Sequence, residues 1–186
     1  RHHFLRRFWT KIPGLGGMCV FDRSWYERVL VEPVMGLTKP SAVRLSYAQM
    51  RTFEWTVSSG GAMIVKFWLD ISKSEQEVRF KRREKRKPWK LSIYDGAARR
   101  KWDDYTLAAN EMFHRTSTEF APWYLVSSEN KYYSRVTVLQ VINQVLEGLE
   151  IHNQLDLAHN HNQQIDLIKG LLDVHIKQPM EKRIHR

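Results

Sequence analysis

Short apolar segments, two of them followed directly by an aspartate, recur along this chain and restrict it to few fold classes. Residues 18–21 (MCVF) are followed by Asp22, and residues 62–69 (AMIVKFWL) are followed by Asp70. A third short apolar segment covers residues 123–126. Segments of this length, without regular polar alternation, are typical of strands buried on both faces of a parallel sheet. They predict an α/β fold in which the sheet is mainly parallel.

Helical periodicity fills the segments around the predicted strands. We expect helices over residues 4–9, 41–59, 74–87, 96–115 and 133–149. Ser41 is a suitable N-cap for the second of these helices, and Pro88 ends the third. The fourth helix is expected to pack through Trp102, Tyr105, Leu107 and Met112. In folds built this way, ligands bind beyond the carboxyl ends of the strands, where Asp22 lies.

Composition and cysteine content exclude several classes of protein. The 186 residues are 42% hydrophobic and 27% charged, which suits one domain with a real core. No apolar run approaches the roughly 20 residues that a membrane-spanning helix requires, so we expect no membrane partner. Cys19 is the single cysteine, which excludes an internal disulfide and a cysteine-based zinc site. It also favours a reducing compartment, and we expect a cytoplasmic protein.

The positive charge of the chain is concentrated in one segment. The formal net charge is +10, and eleven of the thirty Lys and Arg residues lie between Arg79 and Lys101, beside only two acidic residues. A run such as 85–87 taken alone is most often a solvated helix face. So many like charges repel one another, however, and this cost favours a polyanionic partner, either nucleic acid or a phosphate chain.

Asp22 and the arginines that follow it fit phosphate chemistry. An aspartate that closes a buried strand is the Walker B arrangement, which positions Mg²⁺ beside a nucleotide phosphate. Arg23 and Arg28 could neutralise phosphate oxygens, and such neutralisation is most of what phosphoryl transfer needs. The alternative is that Asp22 caps the next helix and pairs with Arg28. The residues alone leave both interpretations open.

A phosphate-binding loop is the part of this chemistry that the sequence lacks. No G-x-x-x-x-G-K-[ST] motif occurs in the 186 residues. Residues 14–17 (GLGG) contain no lysine and precede a predicted strand rather than a helix, so we interpret them as a turn.

Residues 151–186 form a polar, histidine-containing extension, and we expect it to be helical. Ile165, Leu172 and Ile176 indicate an amphipathic helix within it. His159 and His161 could be metal ligands, but no cysteine and no helical H-x-x-x-H pair accompanies them, so a polar surface is favoured.

Several blocks of the sequence, in order and with compatible spacing, resemble the family-2 polyphosphate kinases. These blocks are residues 21–29 (FDRSWYERV), 66–72 (KFWLDIS), 89–92 (WKLS), 116–119 (TSTE), 121–123 (APW) and 131–133 (KYY). The resemblance covers about residues 1–150. Residues 26–32 (YERVLVE) are more similar to the AMP-phosphorylating subgroup than to the subgroup that phosphorylates diphosphates.

The resemblance implies a P-loop kinase-like, three-layer sandwich similar to thymidylate kinase, with a basic helical lid over about residues 74–101. It implies transfer of phosphate between inorganic polyphosphate and AMP, ADP or ATP with Mg²⁺. Asp22 would position the metal and the acceptor, and Arg23 and Arg28 would bind phosphates. The lid would hold polyphosphate through Arg79, Arg83, Lys90 and Arg99.

The resemblance also implies a Walker A segment, which we expect upstream of Arg1. The sheet would then be incomplete at its N-terminus, which favours a homo-oligomer or a companion segment that carries Walker A. We expect the 186 residues alone to bind nucleotide weakly and not to turn over. Two other hypotheses stay open: a basic nucleic-acid-binding module, which we do not favour, and a structural fragment without catalysis.

Overall fold

The computed structural model describes residues 2–14, 16–90, 96 and 99–146. Within these residues the helices and strands are α1 (Arg6–Trp9), α2 (Val31–Val34), α3 (Pro40–Ser59), β1 (Lys66–Asp70), α4 (Lys73–Arg86), α5 (Trp102–Thr116), β2 (Trp123–Ser127) and α6 (Lys131–Leu146). Short 3₁₀ turns cover Trp25–Arg28 and Pro88–Lys90. No helix in the described ranges is long and apolar enough to cross a bilayer. The 151–186 extension, with His159 and His161, lies outside the described residues.

The chain divides into two compact units. The first contains the described residues of Arg1–Lys66 and Ser72–Tyr124, and the second contains Phe67–Ile71 and the described residues from Leu125 to Leu146. Four of the predicted helices are confirmed with small shifts at their ends, and the 133–149 helix among them is described as far as Leu146. Within the segment predicted as a helix over 96–115, helix α5 begins six residues later than expected, at Trp102.

Helix α3 forms the centre of the first unit. Its buried residues are Val43, Ser46, Tyr47, Met50, Phe53, Glu54 and Val57, which recur every three or four positions and so form one face. The helix begins one residue before the predicted cap Ser41. Pro40 occupies its first turn, where a missing N–H costs nothing, and Lys39 is the N-cap. The helix ends at Ser59, Gly60 is its C-cap, and Gly61 follows with φ +92°.

Helix α5 packs in the same unit. The prediction of which of its residues are buried is partly wrong. Met112 is fully buried as expected, together with Ala109 and Thr116. Leu107 is instead 69% exposed. Because it precedes Ala109 by two positions, about 200° around the helix, it lies on the opposite side from the buried residues.

The strand predicted at residues 18–21 does not form. Met18 is 71% exposed and Val20 is 89% exposed, and the segment has no regular structure. A strand needs a neighbour that pairs with its backbone, and the sheet in the described part of the chain consists of β1 and β2 alone. Phe21 is the exception, because its ring packs edge-on against Phe8 and Trp25, with centroids 5.6 Å apart in both cases.

Strands β1 and β2 pair in a parallel sheet, which confirms an α/β class. Strand β1 is shorter than predicted and is not buried on both faces, since Leu69 is 56% exposed. In the second unit, the backbone N–H of Ser128 donates to the carbonyl of Asp70 at 2.6 Å. Helix α6 follows, and the side-chain oxygen of Asn130 accepts a hydrogen bond from the backbone N–H of Tyr132 at 2.9 Å.

Helix α4, the predicted lid helix, is the most polar element of the chain. The hydroxyl of Ser72 caps it by accepting a hydrogen bond from the backbone N–H of Glu75 at 3.1 Å. None of the helix side chains is buried. The helix therefore depends on its cap and on charge pairs one turn apart rather than on packing.

Candidate functional site

The turn after Phe21 carries two consecutive non-glycine residues in the left-handed region. Arg23 has φ +63°, and Ser24 has φ +42° and ψ −152°. Such conformations cost about 1–3 kcal/mol each and persist only where the surroundings enforce them. Phe21 packs on one side of this turn, and the buried Trp25 lies on the other. Strain held between two packed residues is typical of functional turns.

Asp22 presents an exposed carboxylate at this turn. Among the described residues, no hydrogen bond or ion pair to that carboxylate is found. The alternative in which it caps the following turn and pairs with Arg28 is wrong: Ser24 holds the N-cap position without a side-chain cap bond, and Arg28 binds elsewhere. The carboxylate oxygens of Asp22 are therefore open to a ligand.

Arg23 projects into solvent beside Asp22. Its side chain is 70% exposed, and its guanidinium lies 3.7 Å from the carboxylate of Glu27, one turn later. Glu27 also lies 3.8 Å from the guanidinium of Arg7. Exposed pairs at such distances contribute about 0–1 kcal/mol, so Arg23 could exchange Glu27 for an anionic ligand at little cost.

Arg28 is committed to a structural role in the described chain. Its guanidinium donates to the carboxylate of Glu32 at 2.6 Å and to the hydroxyl of Thr38 at 2.9 Å. The group also lies over the ring of Phe4, 5.5 Å from the centroid. The structure thus separates the two arginines of the motif: Arg23 is open to a ligand, and Arg28 ties α2 to the loop before α3.

Of the three arginines predicted to belong to a lid, Arg79 and Arg99 pair with acidic residues of α4. Arg79 donates to Glu75 at 2.7 Å and is 19% exposed. Arg99 lies 2.9 Å from Glu77. The guanidinium of Arg83 lies 5.7 Å from the ring centroid of Phe80. The side chain of Lys90 lies outside what the structure describes, and the roles of all four residues stay predictions.

Glu77 joins two parts of the lid segment. Lys81 and Arg99 both contact its carboxylate at 2.9 Å. The hydrogen bond from Lys81 and the positive charge of Arg99 lower the pKa of Glu77 below its ordinary value. The carboxylate is therefore ionised near neutral pH and acts as an internal counter-charge for the two cations.

A buried polar cluster lies beneath the Asp22 turn. Glu54 is 0% exposed, and one of its oxygens accepts hydrogen bonds from the Tyr26 hydroxyl at 2.6 Å and the Trp25 indole at 3.0 Å. Its other oxygen lies 2.9 Å from the ammonium of Lys66. That ammonium also donates to the carbonyl of Thr116 at 2.7 Å. Every partner in this cluster belongs to the first unit.

The electrostatics of this cluster follow from its burial. Desolvation lowers the pKa of Lys66 from its ordinary value, and the Glu54 carboxylate opposes this shift. Desolvation and the Glu54 charge raise the pKa of Tyr26 well above its ordinary value. The rings of Tyr26 and Trp123 also lie 5.3 and 5.2 Å from the Lys66 ammonium, close enough for cation–π attraction.

Sequence reasoning missed this cluster, although two signals were present. Lys66 interrupts an otherwise apolar segment, and Glu54 occupies a position on the apolar face of α3. Charged residues at such positions are almost never buried without a partner, so the two together indicated a pair.

Comparisons with known proteins show which family the chain resembles. Residues 1–154 match the family described as polyphosphate kinase 2. The chain is 45% identical over 146 residues to the polyphosphate:AMP phosphotransferase of Pseudomonas syringae pv. tomato. This alignment covers 77% of the chain and 29% of that protein. The chain is also 45% identical over 147 residues to the enzyme of the same name from Pseudomonas aeruginosa, covering 78% of this chain and 30% of that one.

The chain is also similar to a solved structure of this family. The crystal structure of polyphosphate kinase 2 from Arthrobacter aurescens TC1 is 40% identical, with a TM-score of 0.76 over 80% of this chain and 53% of that chain. The chain belongs to the polyphosphate kinase 2 family. It spans about a third of the length of the two Pseudomonas relatives.

Proposed function

We propose that this chain contributes the acceptor side and the lid of a polyphosphate-dependent nucleotide phosphotransferase, with AMP as the preferred acceptor. An oxygen of the AMP phosphate attacks the terminal phosphorus of polyphosphate, and the bridging P–O bond breaks. The products are ADP and a polyphosphate shortened by one phosphate. The observation that carries this proposal is the strained turn that presents the carboxylate of Asp22, which has no partner among the described residues, beside Arg23. The names of the relatives support AMP over other acceptors.

Mg²⁺ fits the donor set that this turn offers. The ion is bound in phosphate-transferring sites through one or two carboxylates, together with waters and substrate phosphates. Asp22 supplies an exposed, unpaired carboxylate of that kind. When bound, the ion would neutralise charge that develops on the transferred group. No cluster of three acidic, histidine or cysteine residues that could hold a metal occurs within the described ranges.

The basic segment suits the polyphosphate chain. We assign Arg23 to the phosphates at the turn and Arg79, Arg83, Lys90 and Arg99 to the lid. To bind a polyanion, Arg23, Arg79 and Arg99 must release the carboxylates of Glu27, Glu75 and Glu77. That exchange costs little for the exposed Arg23 and Arg99, and more for Arg79, whose side chain is 19% exposed.

The complete site would need a phosphate-binding segment, since the 186 residues contain no Walker A motif. We infer a P-loop kinase-like arrangement that is completed by a companion segment carrying Walker A, and a cytoplasmic setting. For the 186 residues alone we propose weak ligand binding without turnover.

Binding and phosphotransfer assays test the proposal. Titration calorimetry with polyphosphate, and with AMP in the presence of Mg²⁺, would compare the wild-type chain with Asp22→Asn. The matched control is Asp104→Asn, an exposed aspartate on α5. We expect Asp22→Asn to weaken Mg²⁺-dependent AMP binding at least tenfold and the control to leave it unchanged. Equal binding by all three proteins would contradict the role of Asp22, and ADP formation by the wild-type chain would contradict its inactivity alone.

A titration with duplex DNA distinguishes the proposed phosphotransferase from the alternative of a basic nucleic-acid-binding module. A basic module would bind DNA with an affinity that falls steeply with salt and would be indifferent to AMP. It would also be unaffected by Asp22→Asn, since a charged surface alone has no use for that carboxylate.

A further inference from the structure

Glu54 is the one buried carboxylate in the described part of the chain, and it binds the residues that follow the strained turn. Its Oε1 accepts from both Trp25 and Tyr26, which lie 29 and 28 residues earlier in the sequence. These two residues come directly after Arg23 and Ser24. The carboxylate thus fixes one end of the turn to the central helix α3.

Stability alone does not account for this ion pair. Removal of two charges from water costs several kcal/mol per ion, and apolar residues of similar volume often fill such a space equally well or better. The pair of Glu54 and Lys66 provides what apolar residues lack, which is directional hydrogen bonds. Those bonds hold the Trp25 indole and the Tyr26 hydroxyl in one orientation.

The strained turn needs an external constraint of this kind. Arg23 and Ser24 both have positive φ, so the turn would relax if either flank were free to move. The Phe21 ring is held by packing against Phe8 and Trp25. Trp25 is therefore the shared support of both flanks, and Glu54 is the hydrogen-bond acceptor of its indole.

Lys66 extends the constraint to two further elements. It is the first residue of β1, and its ammonium bridges Glu54, the Tyr26 hydroxyl at 3.0 Å and the carbonyl of Thr116 at the end of α5. Its three donors are therefore all used. A neutral side chain at this position would leave the Glu54 carboxylate without its counter-charge.

We propose that Glu54 and Lys66 are positioning residues, which hold the Trp25–Tyr26 end of the turn so that Asp22 and Arg23 face a phosphate ligand together. This inference rests on the proposed function for the identity of the ligand. The constraint on the turn itself can be measured without any ligand.

The double variant E54L/K66M separates positioning from stability. It replaces the ion pair with apolar side chains and removes the acceptor of Trp25 and Tyr26, while the core stays filled. Tyr26→Phe removes one hydroxyl and keeps the ring. Val57→Ala truncates a buried apolar residue on the same helix and removes no polar group of the cluster, so it controls for a general loss of stability.

Limited trypsin digestion with mass-spectrometric detection reports on the turn, because Arg23 is a trypsin site within it. We expect the rate of cleavage after Arg23, relative to cleavage after the exposed Lys11, to rise about tenfold in the double variant. A smaller rise is expected for Tyr26→Phe and none for Val57→Ala. An unchanged ratio in a folded double variant would overturn the inference.

Titration of the same proteins with polyphosphate, and with AMP and Mg²⁺, tests the consequence for binding. We expect about tenfold weaker binding by the double variant, with Val57→Ala close to wild type. Faster cleavage with unchanged affinity would overturn the positioning role. A wild-type chain that binds neither ligand would overturn the proposed function instead, and the digestion would still decide whether the cluster constrains the turn.

Discussion

The guanidinium of Arg99 lies 2.9 Å from the carboxylate of Glu77, which also binds the ammonium of Lys81 at the same distance. Two cations of the predicted lid segment thus share a single carboxylate of α4. Any polyanion that binds these cations must compete with that carboxylate.

Glu77→Gln is therefore expected to strengthen polyphosphate binding. The gain should be about two- to fivefold, the equivalent of one exposed ion pair, and should shrink as salt is added. The measurement is a polyphosphate titration at two ionic strengths. Glu84→Gln is the matched control, because it makes the same change in net charge on the same helix. An equal gain in both variants would show that net charge, not the Arg99 contact, sets the affinity.

Lys66→Met is expected to destabilise the chain more than the double variant E54L/K66M. The single change leaves a buried carboxylate without a counter-charge, at a cost of about 3–5 kcal/mol. The double change removes both charges and is expected to cost about 1–3 kcal/mol, because it leaves the Trp25 indole, the Tyr26 hydroxyl and the Thr116 carbonyl without these partners. Urea unfolding followed by tryptophan fluorescence measures both. Equal losses in the two variants would mean that packing, rather than charge, dominates at this position.

The raised pKa of Tyr47 predicts that the folded chain loses stability at alkaline pH. Burial raises the pKa of Tyr47 from 10.0 to about 12. Between these values the folded chain keeps a proton that the unfolded chain has lost, so the free energy of unfolding falls as pH rises, by at most about 1.4 kcal/mol per pH unit. Tyr26 has a raised pKa as well and acts in the same direction. Lys66 acts in the opposite direction, below pH 10.5, because its pKa is lowered on folding.

Urea unfolding at a series of alkaline pH values checks this effect. Tyr47→Phe should flatten the decline between pH 10 and 12 relative to wild type, whatever its effect at neutral pH. Phenolate absorbance of the folded chain gives an independent check, because one tyrosine of the wild type, absent in the variant, should titrate late. A decline of the same slope in both proteins would rule out Tyr47 as its source.

Ser24→Gly is expected to stabilise the fold. Glycine adopts the observed φ of +42° without steric cost, which relieves about 1–3 kcal/mol of strain and loses about 0.5–1 kcal/mol through its greater freedom when unfolded. We therefore expect a net gain of about 1 kcal/mol in the free energy of unfolding. Ser24→Ala is the control, since it removes the hydroxyl and keeps the strain. A gain in the alanine variant alone would locate the cost in the hydroxyl.

The sequence predicted helices better than strands, for a physical reason. The periodicity of α3 and the Pro88 that follows α4 are local signals, and these two helices formed close to the predicted residues. A strand depends on a partner that is remote in sequence. Residues 18–21 have strong strand character, yet the described chain gives them no strand to pair with, and residues 18–20 remain exposed.

The residues of the candidate site that could be predicted are those that adjoin one another in the sequence. Asp22 and Arg23 were identified from their position after an apolar segment, and the structure leaves both open to a ligand. The commitment of Arg28 to Glu32 and Thr38 was not foreseen, because it depends on how α2 and the following loop fold back. The pairing of Glu54 with Lys66 was missed because it joins a helix to a strand.

Helix α4 buries none of its side chains, and this has a consequence for evolution and for engineering. Substitutions of exposed side chains usually change stability by less than about 0.5 kcal/mol. The exposed cations Arg82, Lys85 and Arg86 can therefore be altered without endangering the fold, whereas the half-buried pair of Arg79 and Glu75 helps to hold the helix. Selection, or a designer, could retune the preferred length of the phosphate donor at this helix while the rest of the protein stays unchanged.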